Sequence, residues 1–383
     1  MNIGIDITSL IYQRGVSRYT SNLVRALAVQ PHVELSLFGY SLRKNMQLTQ
    51  MAYDLLDYDQ KDIFDEHQIK IQYYPPKIQS LLWRLGLNKV QKQLPKIDVF
   101  HSWDWLQPPD KNIPLVSTIH DLAIVKYPDT AHPSILKAHK RSWKILRERQ
   151  AEIIAVSQST KKDIVKMLKI PAYKIHVIAE ALPVEIRQTS DWLTEEKEQE
   201  IKNKLQLHQP YILFVGTREP RKNLARIIKA WEPLADKYQL IIAGDSGWDD
   251  SAQFQQPNLR FLGRVSEEEL NVLYAEADCF AYASLYEGFG LPILEAFHHG
   301  TPVVTSDISA MVEVAGNAAE LVDPKSEDSI RQGLKKILNE TAEEQQKRLQ
   351  RMIIRLQMFS WDKVAKETIQ VYQKAIQDFA DRD

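Results

Sequence analysis

Two glutamates, Glu287 and Glu295, bracket seven residues in the segment Glu287-Gly-Phe-Gly-Leu-Pro-Ile-Leu-Glu295. Carboxylates accept hydrogen bonds from pairs of hydroxyls, so one can hold a ribose while the other holds a second sugar. Gly288 and Gly290 flank Phe289, and glycine lets a ligand approach the backbone closely. Pro292 suits the first turn of a helix, and free N–H groups at a helix start form an anion site. With Leu291, these residues make a loop that would suit a diphosphate. The plainer alternative has Glu287 capping the helix and Glu295 solvated on its surface. Either residue alone would be ordinary; the combination after a strand favours a ligand.

A second segment, Gly216-Thr-Arg-Glu-Pro-Arg-Lys-Asn223, places Arg218, Arg221 and Lys222 beside a glycine turn. Cations at a helix start oppose the helix dipole, which argues against a purely structural role. They are suited to a departing diphosphate, where negative charge builds up. A third segment, Thr118-Ile-His120-Asp121-Leu122, ends a strand with a histidine and an acid. A fourth, Gln13-Arg-Gly-Val-Ser-Arg-Tyr19, has Gly15 between Arg14 and Arg18, with Ser17 as the expected helix cap. It is not a Gly-x-Gly-x-x-Gly dinucleotide site. Asp57-Tyr-Asp59 has the look of a metal motif but sits in a charged stretch far from the other segments. His298 and His299 are adjacent on a helix, where side chains diverge, so no metal is expected.

The elements that must position these groups read as short apolar strands alternating with helical patterns. Strands are expected at 2–7, 33–38, 69–73, 98–101, 115–119, 153–156 and 175–178, then at 211–215, 239–243, 260–262, 278–283, 302–305 and 320–322. Most look buried on both faces, the mark of parallel, doubly wound sheets. The candidate segments follow strands, where such sheets bind ligands. A polar stretch at 188–209 separates the two series. The expected organisation is therefore an N-terminal Rossmann-like domain at 1–186, a linker at 187–208, a second such domain at 209–357 and a C-terminal helix at 358–383. A long charged helix is expected at 326–355. The final helix has Trp361, Val364, Ile369, Tyr372 and Ile376 at helical spacing.

The 383 residues carry a net charge of -1, which gives no global case for nucleic acid. The charge is uneven: residues 1–185 hold 25 Lys/Arg against 18 Asp/Glu, and the rest 24 against 32. A basic first half suits an anionic partner, such as a phospholipid surface or a phosphorylated acceptor, or is an excess on solvated helices. Residues 77–97 and 137–149 carry much of it. The first resembles a basic amphipathic helix for a membrane surface, with a helix packed on the sheet as the blander reading. The single cysteine, Cys279, cannot form an internal disulfide and reads as a small core residue suited to a reducing compartment. No signal-peptide or bilayer-length apolar stretch is found. The expected location is cytoplasmic, with peripheral contact to the inner face of the plasma membrane.

The segment from Glu287 to Glu295 resembles the Glu-x7-Glu signature of the retaining family-4 glycosyltransferases, also described as glycosyl transferases group 1. The resemblance extends over nearly the whole chain. It implies an α/β GT-B fold, with two Rossmann-like domains facing across a cleft and a C-terminal helix packing back on the first. It also implies that Glu287 meets the donor sugar, Glu295 the ribose, and the amides from Gly288 to Leu291 the diphosphate. Arg221 and Lys222 would be the diphosphate pair, with Arg218 and Gly216 nearby. His120 would face the sugar from the first domain, supported by Asp121, while Arg264 and Val265 would lie on the base side.

The family commonly has two or three glycines in the first loop. Keeping only Gly15 here weakens the expectation of close backbone–phosphate contact and leaves Arg14 or Arg18 to meet a phosphate or acceptor. The implied activity is retaining, metal- and cofactor-independent transfer of a hexose from a GDP- or UDP-sugar to a glycan or lipid-diphosphate-linked acceptor, in surface polysaccharide biosynthesis. The segment 216–223 is similar to the mannosyltransferase branch, which points to GDP-mannose. The alternatives are a non-catalytic GT-B protein that binds nucleotide sugars, or a nucleotide-sugar epimerase.

Overall fold

The computed structural model describes residues 1–12, 15–56, 69–247 and 256–382. The Asp57–Asp59 motif and Arg14 lie outside them. The chain divides into two compact units, one of Met1–Glu180 with Ser360–Asp383 and one of Ala181–Phe359.

The first unit holds β1 (Asn2–Asp6), β2 (Glu34–Tyr40), β3 (Ile69–Gln72), β4 (Val99–Trp103), β5 (Leu115–Ile119), β6 (Glu152–Ala155) and β7 (Ile175–Val177), in the order β3-β2-β1-β4-β5-β6-β7. Every pairing is parallel. Parallel neighbours need crossover helices on both faces, which explains why β1, β4, β5 and β6 carry almost only buried side chains. The strand order reverses between β1 and β4. Chain segments leaving the carboxyl ends of those strands diverge there and open a crevice.

The second unit repeats the plan with β8 (Tyr211–Val215), β9 (Gln239–Ala243), β10 (Leu259–Gly263), β11 (Cys279–Tyr282), β12 (Val303–Ser306) and β13 (Glu320–Val322). Their order is β10-β9-β8-β11-β12-β13, so the reversal lies between β8 and β11. Trp231, Phe214, Ile227 and Ile330 fill its core, and Cys279 is buried there with its thiol pushed up to about 12 by burial. All thirteen expected strands are present, with ends that match or differ by at most two residues. β2 runs on to Tyr40 because Gly39 and Tyr40 extend the ladder with β3.

Helices depart further from expectation. The polar stretch read as a linker forms the helices Val184–Trp192 and Glu195–Leu205, both within the second unit. Thr194 caps the latter at the Lys197 amide, acidic residues fill its first turn, and Lys202 and Lys204 its last. Those charges complement the dipole, and the narrow buried stripe of Ile201 and Leu205 holds the helix down. The expected long helix at 326–355 is two, Glu327–Leu338 and Ala342–Gln357. Thr341 and Glu344 start the second with a reciprocal capping box.

The segment 77–97 is likewise broken into Pro76–Arg84 and Val90–Gln93, and it buries Trp83, Val90 and Leu94. The last helix, Trp361–Ala380, packs on the first unit, against the helix Gly15–Ala28. Its buried face is Val364, Thr368, Val371, Tyr372 and Ala375, rotated from the face expected.

Candidate functional site

Four chain segments converge at the reversal point of the second sheet. β8 ends at Val215, and Gly216 follows with φ +147°, a value that favours glycine. The Lys222 side chain packs over its α-carbon. A single turn, Pro220–Lys222, then brings round Arg221 and Lys222, and Asn223 anchors it by donating to the carbonyls of Ala283 and Pro324. β11 ends at Tyr282, and the loop after it carries Glu287. Gly290, at φ +124°, turns the chain into the helix Leu291–His298. A side chain at that φ would be strained, so the glycine sets where the helix begins.

Glu287 is the centre of the cluster. Its Oε2 lies 2.7 Å from Arg221 and its Oε1 2.7 Å from Lys222, while Glu219 takes the Arg221 Nε at 2.7 Å. Two cations thus face two carboxylates. Burial opposes ionisation of Glu287, but Lys222 and Arg221 outweigh it and hold its carboxyl at about 2. Burial likewise depresses Lys222, against the pull of Glu287, and its ammonium also donates to the Tyr282 hydroxyl at 3.1 Å. The sequence reading had Arg221 and Lys222 facing a diphosphate directly. Here their charge is met first by Glu287 and Glu219, and Glu287 is neither a helix cap nor solvated.

Glu295 is also buried, and its Oε2 accepts from the Tyr274 hydroxyl at 3.0 Å. A carboxylate offers about four acceptor positions, so this bond leaves capacity for hydroxyls. Gly288 and Phe289 are buried; the Phe289 ring packs edge-on to Phe359 at 5.8 Å, which leaves its backbone to line the loop. Leu291 is half-buried at the helix start. Arg218 turns toward β10, its guanidinium 5.0 Å from the centre of the Phe261 ring. Arg264 is exposed and Val265 half-buried, just past the carboxyl end of β10. His298 ends its helix, and its ring lies 5.0 Å from that of His299, so the two do not diverge as expected. Among the described residues no group of three or more His, Cys, Asp or Glu could hold a metal ion.

In the first unit, His120 follows β5. Its Nδ1 lies 2.8 Å from Glu180 Oε1, Tyr19 meets the ring edge-on at 4.7 Å, and Thr160 donates to its carbonyl. Burial lowers the imidazole pKa, yet Glu180 outweighs it and raises the value above that of a free histidine. Asp121 points elsewhere: its Oδ1 accepts from the Ala123 amide at 2.7 Å and fixes the short turn after the strand. Gly15 opens its helix with open space around its α-carbon. Ser17 sits inside the helix rather than capping it, donating to the Ser9 carbonyl at 2.6 Å. Arg18 is half-buried on the same helix.

Glu180 and Glu219 were missed from sequence. Glu180 follows a strand at its carboxyl end, the same signal that drew attention to His120. Glu219 lies two residues before Arg221 in the basic loop.

Residues 13–185 match the Glycosyltransferase Family 4 family and residues 195–354 the Glycosyl transferases group 1 family. The O-antigen chain mannosyltransferase B of Escherichia coli is 31% identical over 272 residues, covering 67% of this chain and 70% of that protein. The O-antigen chain mannosyltransferase RfbU of Salmonella typhimurium is 34% identical over 228 residues, 57% of this chain and 60% of that one. Among solved structures, a glycosyltransferase from Rickettsia africae superposes with a TM-score of 0.70 at 18% identity, covering 98% of both chains. Anabaena HepE, in complex with UDP and glucose, gives 0.68 at 14% identity over 98% of this chain and 100% of that one. These likenesses show the GT-B fold.

Proposed function

We propose that this chain, which belongs to the family-4 glycosyltransferases, is a retaining, metal-independent hexosyltransferase acting on a glycan or lipid-diphosphate-linked acceptor in surface polysaccharide assembly. GDP-mannose is the donor we favour, since relatives 31% and 34% identical over the aligned stretches are named mannosyltransferases. The observation that carries the reading is the Arg221–Lys222–Glu287 cluster at the reversal of the second sheet, beside a glycine-started helix. In the proposed reaction the bond from the anomeric carbon to the donor phosphate breaks. The acceptor oxygen bonds on the same face, and its proton passes to the departing phosphate oxygen. Arg221 and Lys222 stabilise the charge that develops on the diphosphate, where preorganised cations act most strongly. Glu287 accepts from hydroxyls of the transferred sugar and Glu295 from the ribose, and His120 has a sugar-positioning role.

A donor screen tests this. GDP-mannose, UDP-glucose and UDP-N-acetylglucosamine are each offered with oligosaccharide acceptors, and nucleoside diphosphate release is compared with a Glu287→Ala control. Proton NMR of the product reads the anomeric configuration. No release above the control with any donor would sink the enzyme reading, and an inverted product would sink the retaining one.

Peripheral contact with an anionic membrane is part of the proposal. Ile78, Leu81, Leu85 and Leu87 are 45–63% exposed along Pro76–Arg84 and the turn after it, beside Lys77, Arg84 and Lys89. Apolar tips flanked by cations suit a headgroup boundary. No described helix is long and apolar enough to cross a membrane. Flotation with phosphatidylglycerol vesicles should retain the protein at low salt, and Leu81→Asp with Leu85→Asp should release it.

A further inference from the structure

The reversal point of the first sheet carries a second cluster, aromatic rather than charged. β1 ends at Asp6 and runs into the short turn Thr8–Tyr12; β4, its neighbour, ends at Trp103 and continues to Asp104 and Trp105. The rings of Trp103 and Trp105 stack at 5.3 Å with 29° between their planes. Tyr12 meets both, tilted at 6.2 Å from Trp103 and edge-on at 6.0 Å from Trp105. The Trp103 indole donates to the Asp6 carbonyl at 3.1 Å, which fixes that ring against the end of β1. Three large aromatics gathered at a strand end are usually core. These are not fully covered: Tyr12 is 41% exposed, and Trp103 and Trp105 are each half-buried.

Their polar neighbours are as specific. Trp103, Asp104, Asp6 and His120 border one small hollow at the carboxyl ends of β1, β4 and β5. Asp104 is half-buried, with its Oδ2 3.4 Å from His139 Nδ1. This cluster therefore adjoins the histidine assigned above to the transferred sugar, within one unit.

We propose that Tyr12, Trp103 and Trp105, with Asp104, bind a terminal pyranose of the acceptor, so that the acceptor is recognised as a glycan. This rests on the glycosyltransferase reading. One face of a pyranose presents C–H groups that are slightly positive, and the face of an aromatic ring is negative, so the two stack favourably. Rigid aromatic side chains lose little freedom on binding. A carboxylate at the platform's edge accepts from the ring hydroxyls and fixes which sugar face turns down. The half-buried polar group at the platform's edge is the Asp104 carboxylate, which suits sugar hydroxyls better than a bare phosphate; Asp6 is buried, with its Oδ1 on the Thr8 amide.

Isothermal titration of the full chain with α-mannotriose, cellotriose and chitotriose tests the proposal, with GDP and UDP titrated in parallel as a check on the second unit. Wild type is expected to bind at least one trisaccharide saturably. Tyr12→Ser and Trp105→Ala should each weaken that binding at least tenfold, Trp105→Phe should restore most of it, and nucleotide affinity should not move. Tyr12 is exposed enough for its replacement to leave the fold intact. The proposal is overturned if wild type binds none of the trisaccharides, or if Tyr12→Ser and Trp105→Ala both bind within twofold of wild type. Loss of nucleotide binding in wild type would instead overturn the donor reading, since the trisaccharide titration does not depend on it.

Discussion

Lys222 and Glu287 meet at 2.7 Å, and Arg221 reaches the other oxygen of the same carboxylate at the same distance. The pair joins the ends of β8 and β11, so one contact closes the reversal point and holds the two cations that the proposed mechanism assigns to the diphosphate. Removing Lys222 therefore has two effects. Lys222→Met keeps the volume but leaves a buried carboxylate with one cation fewer, and breaking a buried pair costs about 3–5 kcal/mol. Transfer should fall about 100- to 1,000-fold from lost stabilisation of the departing charge. Steady-state rates beside thermal unfolding separate the two effects. A variant that turns over within threefold of wild type would remove Lys222 from the reaction.

The same pair makes the second unit acid-sensitive. The Glu287 carboxyl is held at about 2, below its ordinary 4.5, so its contribution to stability is complete above pH 4.5 and is lost as pH falls toward 2. Denaturant unfolding followed at pH 5 and pH 3 should show a drop in wild type. In Glu287→Gln that drop should shrink, because the group that takes up the proton is gone. An equal drop in both proteins would place the acid sensitivity elsewhere.

The sign is opposite at His120. Glu180 raises its pKa despite burial, so the pair stabilises the first unit below about pH 6.5 and loses that effect as pH rises through the folded value. Glu180→Gln should lower the His120 titration midpoint, read from the imidazole resonances by NMR. If His120 serves the transferred sugar, the pH profile of transfer should move with it. An unchanged midpoint would mean that the 2.8 Å contact does not set the charge of the ring.

Strands were legible in the sequence because both of their faces are buried, which leaves an uninterrupted apolar run bounded by polar residues. Glu287, Arg221, Lys222 and His120 stand out because each follows such a run within a motif that resembles the family's, and the structure brings the first three into one cluster. What was hidden depended on partners distant in sequence. Nothing near Glu287 announces that its carboxylate will sit on Arg221 and Lys222, and Glu180 is found only once β5 and β7 are seen two places apart in one sheet. Residues 188–209 looked like a linker because only Ile201 and Leu205 mark the buried side of that helix. The break at Asn339 was missed because charge runs through it without change, although Thr341 and Glu344 carry the capping spacing.

A chelator test separates metal-dependent transfer from the mechanism proposed here. With Arg221 and Lys222 supplying the positive charge, transfer rates should be unchanged in excess EDTA and should not rise with added Mg²⁺ or Mn²⁺. A loss with EDTA that either ion restores would assign the diphosphate charge to a metal.

The C-terminal helix is tied to β4 through Tyr372. Tyr372 is fully buried, and its hydroxyl meets His101 Nδ1 at 2.7 Å, while His101 Nε2 meets Thr118 at 3.0 Å. Both ring nitrogens are thus engaged. Burial, with His120 nearby, pushes the imidazole down to about 3, so it is neutral throughout the physiological range. Tyr372→Phe leaves the ring volume in place but strands one buried nitrogen, at a cost of about 1–3 kcal/mol. Thermal unfolding of the variant should begin several degrees lower, with the first unit melting first. His101 also sets a pH window. Stability gained by keeping it neutral is complete above pH 6.5 and declines as pH falls toward 3. His101→Gln, which keeps a polar side chain there, should flatten stability between pH 6.5 and 4. A variant as acid-sensitive as wild type would show that His101 does not tie this helix to the sheet through its neutral form.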